Sequence, residues 1–269
     1  MTRPFILTIS NRKGGTGKTT TAVNIAAEAA IRGGRVLLVD LDTQGHSNLG
    51  FGIAVSKGQA TAHDIFRANA RLGVLATAIV ETNLPGLSLV PADHTFDGLD
   101  SIRDMDRLRR ELALPEISQR FDLIILDTPP SLDILLMNAM AAANAVLIPV
   151  LPHILSSEGV KQLIRLFFKI ATSVNADLKL MGFVPVMLNL RTGLHRDVMN
   201  SLSTQYGKER IFRGIRSDIS LAEAFGKGQP IQHYDPKSRG AQDYRYLWEE
   251  MLDAWPELRR KKQHSERSS

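Results

Sequence analysis

From residue 5 onward the chain alternates short apolar runs with stretches of helical periodicity. The runs are Phe5 to Ile9, Val36 to Val39, Ala78 to Val80, Leu87 to Val90, Leu123 to Leu126, Ala145 to Val150 and Leu180 to Leu188. They are rich in Val, Ile and Leu and lack strict apolar–polar alternation, as strands covered on both faces should. Between them helices are predicted near 18–32, 97–112, 131–143, 156–172 and 194–205, with a last one near 240–253. Strand and helix in turn give an α/β fold: a doubly wound, mostly parallel sheet with helices on both faces. Ligands of such sheets bind beyond the carboxyl ends of the strands, so chemistry is sought there.

A length of 269 residues with 43% hydrophobic content suits one large α/β domain. We expect a single domain over 1–255, followed by a basic, disordered tail over 256–269 that carries Arg259-Arg260-Lys261-Lys262. The absence of cysteine excludes disulfides, thiolate zinc sites and iron–sulfur clusters. No apolar run approaches the ~18 residues of a membrane span, and no signal-peptide core follows Met1, so a soluble cytoplasmic protein is expected. The net charge of +5 favours a polyanionic partner without proving one.

The first strand runs directly into Lys13-Gly-Gly-Thr-Gly-Lys-Thr-Thr20, and a helical stretch follows at once. Glycines let successive backbone N–H groups converge on a polyphosphate, and the helix adds its positive dipole end. Lys18 is placed to reach the phosphates and the Thr19 hydroxyl to ligate magnesium, with Gly14, Gly15, Thr16, Gly17 and Thr20 completing the cradle. The usual first glycine of such a loop is replaced by Arg12, and a second lysine, Lys13, opens the loop. A turn that binds nothing would not need two lysines and two threonines at fixed offsets from three glycines.

Two acidic motifs follow at strand ends. The second strand leads into Asp40-Leu41-Asp42-Thr43-Gln44-Gly45, whose two carboxylates can both face the phosphates; the same residues would also make a good turn. The fifth ends in Leu126-Asp127-Thr128-Pro129-Pro130, a Walker B pattern in which Asp127 would hold magnesium through water.

These segments resemble the ParA family of deviant Walker A ATPases, within the ParA and MinD group of P-loop proteins. The resemblance continues in Ser220-Leu221-Ala222-Glu223-Ala224 and in Gly228 to Gly240, which is similar to the ParA and Soj pattern ending in Tyr234-Asp235-Pro236-Lys237-Ser238-Arg239-Gly240. It implies ATP and Mg2+ as cofactors and an ATP-bound sandwich dimer, with Lys13 crossing to the partner's nucleotide. It also makes Asp42 the carboxylate that positions the attacking water, with Asp40 assisting near the metal. Asn189 is a candidate nucleotide contact. The family partitions DNA by binding it without sequence preference, and a ParB-type protein stimulates hydrolysis, so a nucleoid-associated protein is implied. For DNA contacts the resemblance points to Arg191; a second family arginine is replaced by Ser220, with Arg213 and Arg216 nearby as substitutes. The alternatives are a MinD-like membrane-surface ATPase, disfavoured by the charged end after Leu258, and a small-molecule ligase or amidase on the same fold. No helix-turn-helix segment precedes Phe5, as expected of a short ParA-type form.

Overall fold

In a computed structural model, which describes residues 3–98, 102–131, 133–153, 156–189 and 191–259, seven strands form one sheet. They are β1 (Phe5–Ile9), β2 (Val36–Asp40), β3 (Val80–Glu81), β4 (Leu87–Val90), β5 (Leu123–Asp127), β6 (Ala145–Val150) and β7 (Lys179–Pro185), in the order β3-β4-β2-β5-β1-β6-β7. All pairings are parallel except β3 with β4. The chain leaves β1 for α1 (Lys18–Ile31), β2 for α2 (His46–Gly50) and α3 (Val74–Thr77), and β4 for α4 (Arg107–Ala113) and α5 (Pro115–Ser118). Then come α6 (Ile134–Ala142) after β5, α7 (Ser156–Ser173) after β6, and α8 (Gly193–Tyr206), α9 (Ile219–Gly226), α10 (Ile231–Tyr234) and α11 (Arg239–Ala254) after β7.

The strands are apolar throughout because both sheet faces are covered. Leu7, Ile9, Leu38 and Ile125 face one core with residues of α1, α9, α10 and α11, whereas Leu37, Val39, Ile124 and Leu126 face a second core with residues of α4, α5 and α6. A third cluster extends that second face toward β7 through α6, α7 and α8. The period of two is visible at Thr8, between Leu7 and Ile9, whose hydroxyl donates to the Ala139 carbonyl of α6.

Several boundaries differ from those expected. The helix predicted over 97–112 begins only at Arg107, and the third strand is Val80–Glu81, short and antiparallel. The stretch near 131–143 starts at Ile134 because the Asp133 carboxylate accepts hydrogen bonds from the Leu135 and Leu136 amides and caps the helix there. The last strand stops at Pro185 rather than Leu188. Pro256–Arg259 forms a 3-10 turn with Leu258 against the first core; the rest of the expected tail, 260–269, lies outside the described residues.

Candidate nucleotide site

Beyond β1 the loop is tied down before any ligand arrives. The Asn11 side-chain amide donates to the Pro149 carbonyl (2.6 Å), its Oδ1 accepts the Lys13 N–H (3.0 Å), and the Thr16 hydroxyl donates to the Lys13 carbonyl (3.0 Å). Gly15 and Gly17 have φ of 72° and 69°, a region that a Cβ penalises, and Gly17 is the N-cap of α1. No side chain caps that helix, so its first N–H groups are left for a ligand. Lys18 is nearly buried and Lys13 half-buried, and neither takes part in an ion pair among the described residues. Two lysines flanking a nest of backbone donors suit a polyphosphate.

Asp40 and Asp127 stand opposite each other in register at the ends of β2 and β5, both fully buried. Asp40 accepts the Asp42 N–H (3.0 Å) and the Ser47 N–H (3.0 Å). The Ser47 hydroxyl donates to Asp127 Oδ2 (3.0 Å), while Asp127 Oδ1 is buried without a partner. Burial pushes the Asp127 carboxyl up to about 6, against the opposing pull of the Thr19 hydroxyl and the Lys18 charge. Burial and the neighbouring Asp127 hold Asp40 well above the usual carboxylate range. Two buried carboxylates that resist ionising together, one with an orphaned oxygen, are a donor set that a divalent cation would satisfy. Among the described residues no group of three or more His, Asp or Glu is placed to hold a metal ion by itself.

Asp42 is buried on the loop after β2. Its Oδ1 accepts the Gln44 N–H (3.1 Å), and no hydrogen bond from the described residues reaches its Oδ2. The structure places Lys13, Gly14, Gly15, Thr16, Gly17, Lys18, Thr19, Thr20, Asp40, Asp42 and Asp127, the residues singled out in the sequence, at the carboxyl ends of β1, β2 and β5. The sequence reading missed Asn11 and Ser47, which fix the loop and join the two carboxylates. A serine within a few residues of an Asp-x-Asp turn carries no sequence signal of its own.

Away from the loop the candidates separate. Val186, just past β7, lies under Gly17, so the exit of this strand borders the cradle. Asn189 there uses Oδ1 to accept the Arg191 N–H (3.1 Å), and its own N–H donates to His195 Nδ1. Arg191 is exposed and free of ion pairs among the described residues. Arg216 differs: its guanidinium grips the buried Asp243 through two oxygens (2.8 and 3.0 Å), so its charge is already matched. Arg213 stacks over Tyr246 (4.6 Å), and its N–H donates to Glu250.

The AAA domain family matches residues 5–180 of the chain. The chromosome partitioning protein ParA of Caulobacter vibrioides is 34% identical over 92% of this chain and 93% of its own length. The sporulation initiation inhibitor protein Soj of Bacillus subtilis is 36% identical over 91% of this chain and 97% of its own. A cobyrinic acid a,c-diamide synthase from Mycobacterium smegmatis, solved with bound ADP and magnesium, superposes with a TM-score of 0.79 at 31% identity, covering 94% of this chain and 96% of that one.

Proposed function

Because the chain belongs to the ParA and Soj family of partitioning ATPases, within the AAA domain family, we propose that it binds ATP with Mg2+ in the cradle around Lys18 and uses hydrolysis to time its release from DNA. The observation that carries this reading is the buried, unpartnered Oδ1 of Asp127, a residue paired in register with Asp40 beside the phosphate loop. Thr19, Asp127 and Asp40 are the residues that would hold Mg2+, which when bound supplies charge neutralisation at the phosphates. Lys18 and the α1 N–H groups orient the phosphate chain, and Lys13 reaches the nucleotide of a second copy in an ATP-bound dimer. The free Oδ2 of Asp42 orients the attacking water. Catalysis is then mostly positioning and charge stabilisation. Arg191, the unmatched cation beside the β7 exit, contacts DNA phosphates, and a ParB-type partner accelerates turnover.

The likeness to a structure named for a diamide synthase supports a second reading, amidation of a small molecule on the same cradle. Stimulation of turnover by DNA and a partner protein, rather than by a metabolite, separates the two. The residue roles are tested by nucleotide binding and single-turnover hydrolysis. Lys18→Ala should lose nucleotide, whereas Asp42→Ala should bind ATP normally and hydrolyse it at least tenfold more slowly, because the interaction it loses belongs to the transition state. Equal loss of ATP affinity in both variants would overturn the assignment of Asp42.

A further inference from the structure

The turn that carries Asp42 is held from outside by two histidines from elsewhere in the chain. His63 is wholly buried; its Nδ1 accepts the Asp93 N–H (2.9 Å), so the ring proton is on Nε2, which donates to the Leu41 carbonyl (3.2 Å). One residue after Asp93, His94 Nδ1 lies 3.1 Å from the carbonyl of Thr43 and, facing an acceptor, must donate to it. The same ring covers Gly45: a Cβ at Gly45 would lie 2.3 Å from His94 Cε1 and 2.7 Å from Nε2, and Gly45 has a φ of 60°. The segment that delivers both contacts is itself fixed. Asp93 accepts from the Thr95 N–H and hydroxyl and from Arg67, which also binds Asp64.

Thr43 and Gly45 bracket the part of the turn whose Gln44 N–H orients Asp42. Anchoring a carbonyl one residue after Asp42 and covering the glycine three residues after it limits where the carboxylate can point. We propose that His94 is a positioning residue for hydrolysis: it holds the Asp42 to Gly45 turn through the Thr43 carbonyl and through contact with Gly45, and so keeps the Asp42 carboxylate aimed before the transition state is reached. His94 touches no phosphate ligand named above and acts through the turn alone. His94 is exposed and lines an open groove of about 940 Å3 with residues from 55–61, 64–74 and 92–95, so one side of the brace faces solvent rather than core.

The inference rests on the role given to Asp42, and the experiment keeps the two apart. Single-turnover ATP hydrolysis and ATP affinity are measured for wild type, Asp42→Ala, His94→Ala and His94→Asn. Asparagine places an N–H donor near the position of Nδ1. A positioning loss equal to the net worth of one hydrogen bond corresponds to about fivefold in rate. His94→Ala should therefore slow hydrolysis about fivefold with ATP affinity unchanged, and His94→Asn should restore most of it. A double-mutant cycle with Gly45→Ala adds a geometric readout: that substitution should cost less in the His94→Ala background, where the clashing ring is gone, although its backbone strain persists. If Asp42→Ala slows hydrolysis and His94→Ala does not, the inference fails while the proposed function stands. Should His94→Ala weaken ATP binding as much as it slows hydrolysis, or His94→Asn give no recovery, positioning is likewise overturned. If Asp42→Ala itself hydrolyses at the wild-type rate, the fault lies with the role of Asp42.

Discussion

A buried histidine on the wall of the site makes a pH-dependent contribution whose sign follows from two hydrogen bonds. His63 already uses Nε2 as donor and Nδ1 as acceptor, so a second proton at Nδ1 would face the Asp93 N–H, another donor. Burial lowers its folded-state pKa from the usual value, and the Leu41 carbonyl and the charges of Asp93 and Asp64 oppose that only in part. The unfolded chain therefore binds the proton more readily. The His63 contribution is fully present above the unfolded value of about 6.5 and is lost as pH falls from there through the lower folded value. Asp93 and Asp218, held below the ordinary carboxylate range, lose their contributions only at more acid pH, below about 4. Buried Asp40 and Asp127 change stability in the opposite sense, so the measurement is a difference. Denaturation midpoints of wild type and His63→Gln should converge as pH is lowered from 7.5 to 5, and parallel curves would contradict the assignment.

At the scale of elements, the sheet was legible where a strand is buried on both faces and obscure where it is not. β1, β2, β4, β5 and β6 lie where the Val, Ile and Leu runs predict them. β3 is an edge strand of two residues, half-buried and exposed, so the apolar run Ala78 to Val80 that predicts it meets it only at Val80. α4 starts late because Arg107 turns inward, donating to the carbonyls of Ile65, Ala70 and Arg71, and the residues before it carry their own turn, with Asp104 accepting the Asp106 N–H. An arginine buried for its hydrogen bonds looks like a solvated one in sequence. β7 shows the same limit. Its register on β6 slips between Val146 and Leu147, leaving Met181 as an extra residue that turns into the first core. Gly182 follows with φ 153°, and a Cβ there would meet the Arg210 carbonyl oxygen at 2.4 Å and the Phe212 ring at 2.8 Å. Backbone, unlike a flexible side chain, cannot step aside. Gly182→Ala should cost roughly 1–3 kcal/mol of stability by urea denaturation, and because β7 leads to Val186 under Gly17, nucleotide affinity should fall with it. An unchanged midpoint would mean that the 210–212 segment yields more easily than its packing suggests.

For the whole molecule, charge and symmetry act together. Under the proposed function, the loops at the carboxyl ends of β1, β2 and β5 were legible because phosphate chemistry restricts residue types there. The outer surface was less so, because an exposed arginine and one matched to a buried aspartate look alike in sequence: of Arg191, Arg213 and Arg216, only Arg191 is left without a counter-charge or an aromatic partner among the described residues. Under the proposed function, ATP brings two copies face to face with Lys13 of each near the nucleotide of the other. The pair presents Arg191 twice on one rigid body, so it should bind DNA far more tightly than a monomer does. Lys13→Ala should keep the folded monomer but fail to dimerise with ATP in light scattering, and it should lose DNA binding as a consequence. Arg191→Glu should dimerise like wild type and bind every duplex more weakly. In fluorescence anisotropy on two unrelated duplexes, the logarithm of wild-type affinity should fall with the logarithm of salt at a slope of about −0.9 per phosphate neutralised, and Arg191→Glu should flatten it by about two such contacts per dimer. Arg216→Glu should instead leave a buried Asp243 without its partner and destabilise the fold, so its DNA defect should come with a lower melting temperature and that of Arg191→Glu should not. Equal DNA binding with ATP, with ADP and without nucleotide, or a strong preference for one duplex, would exclude a nucleotide-gated, sequence-independent grip.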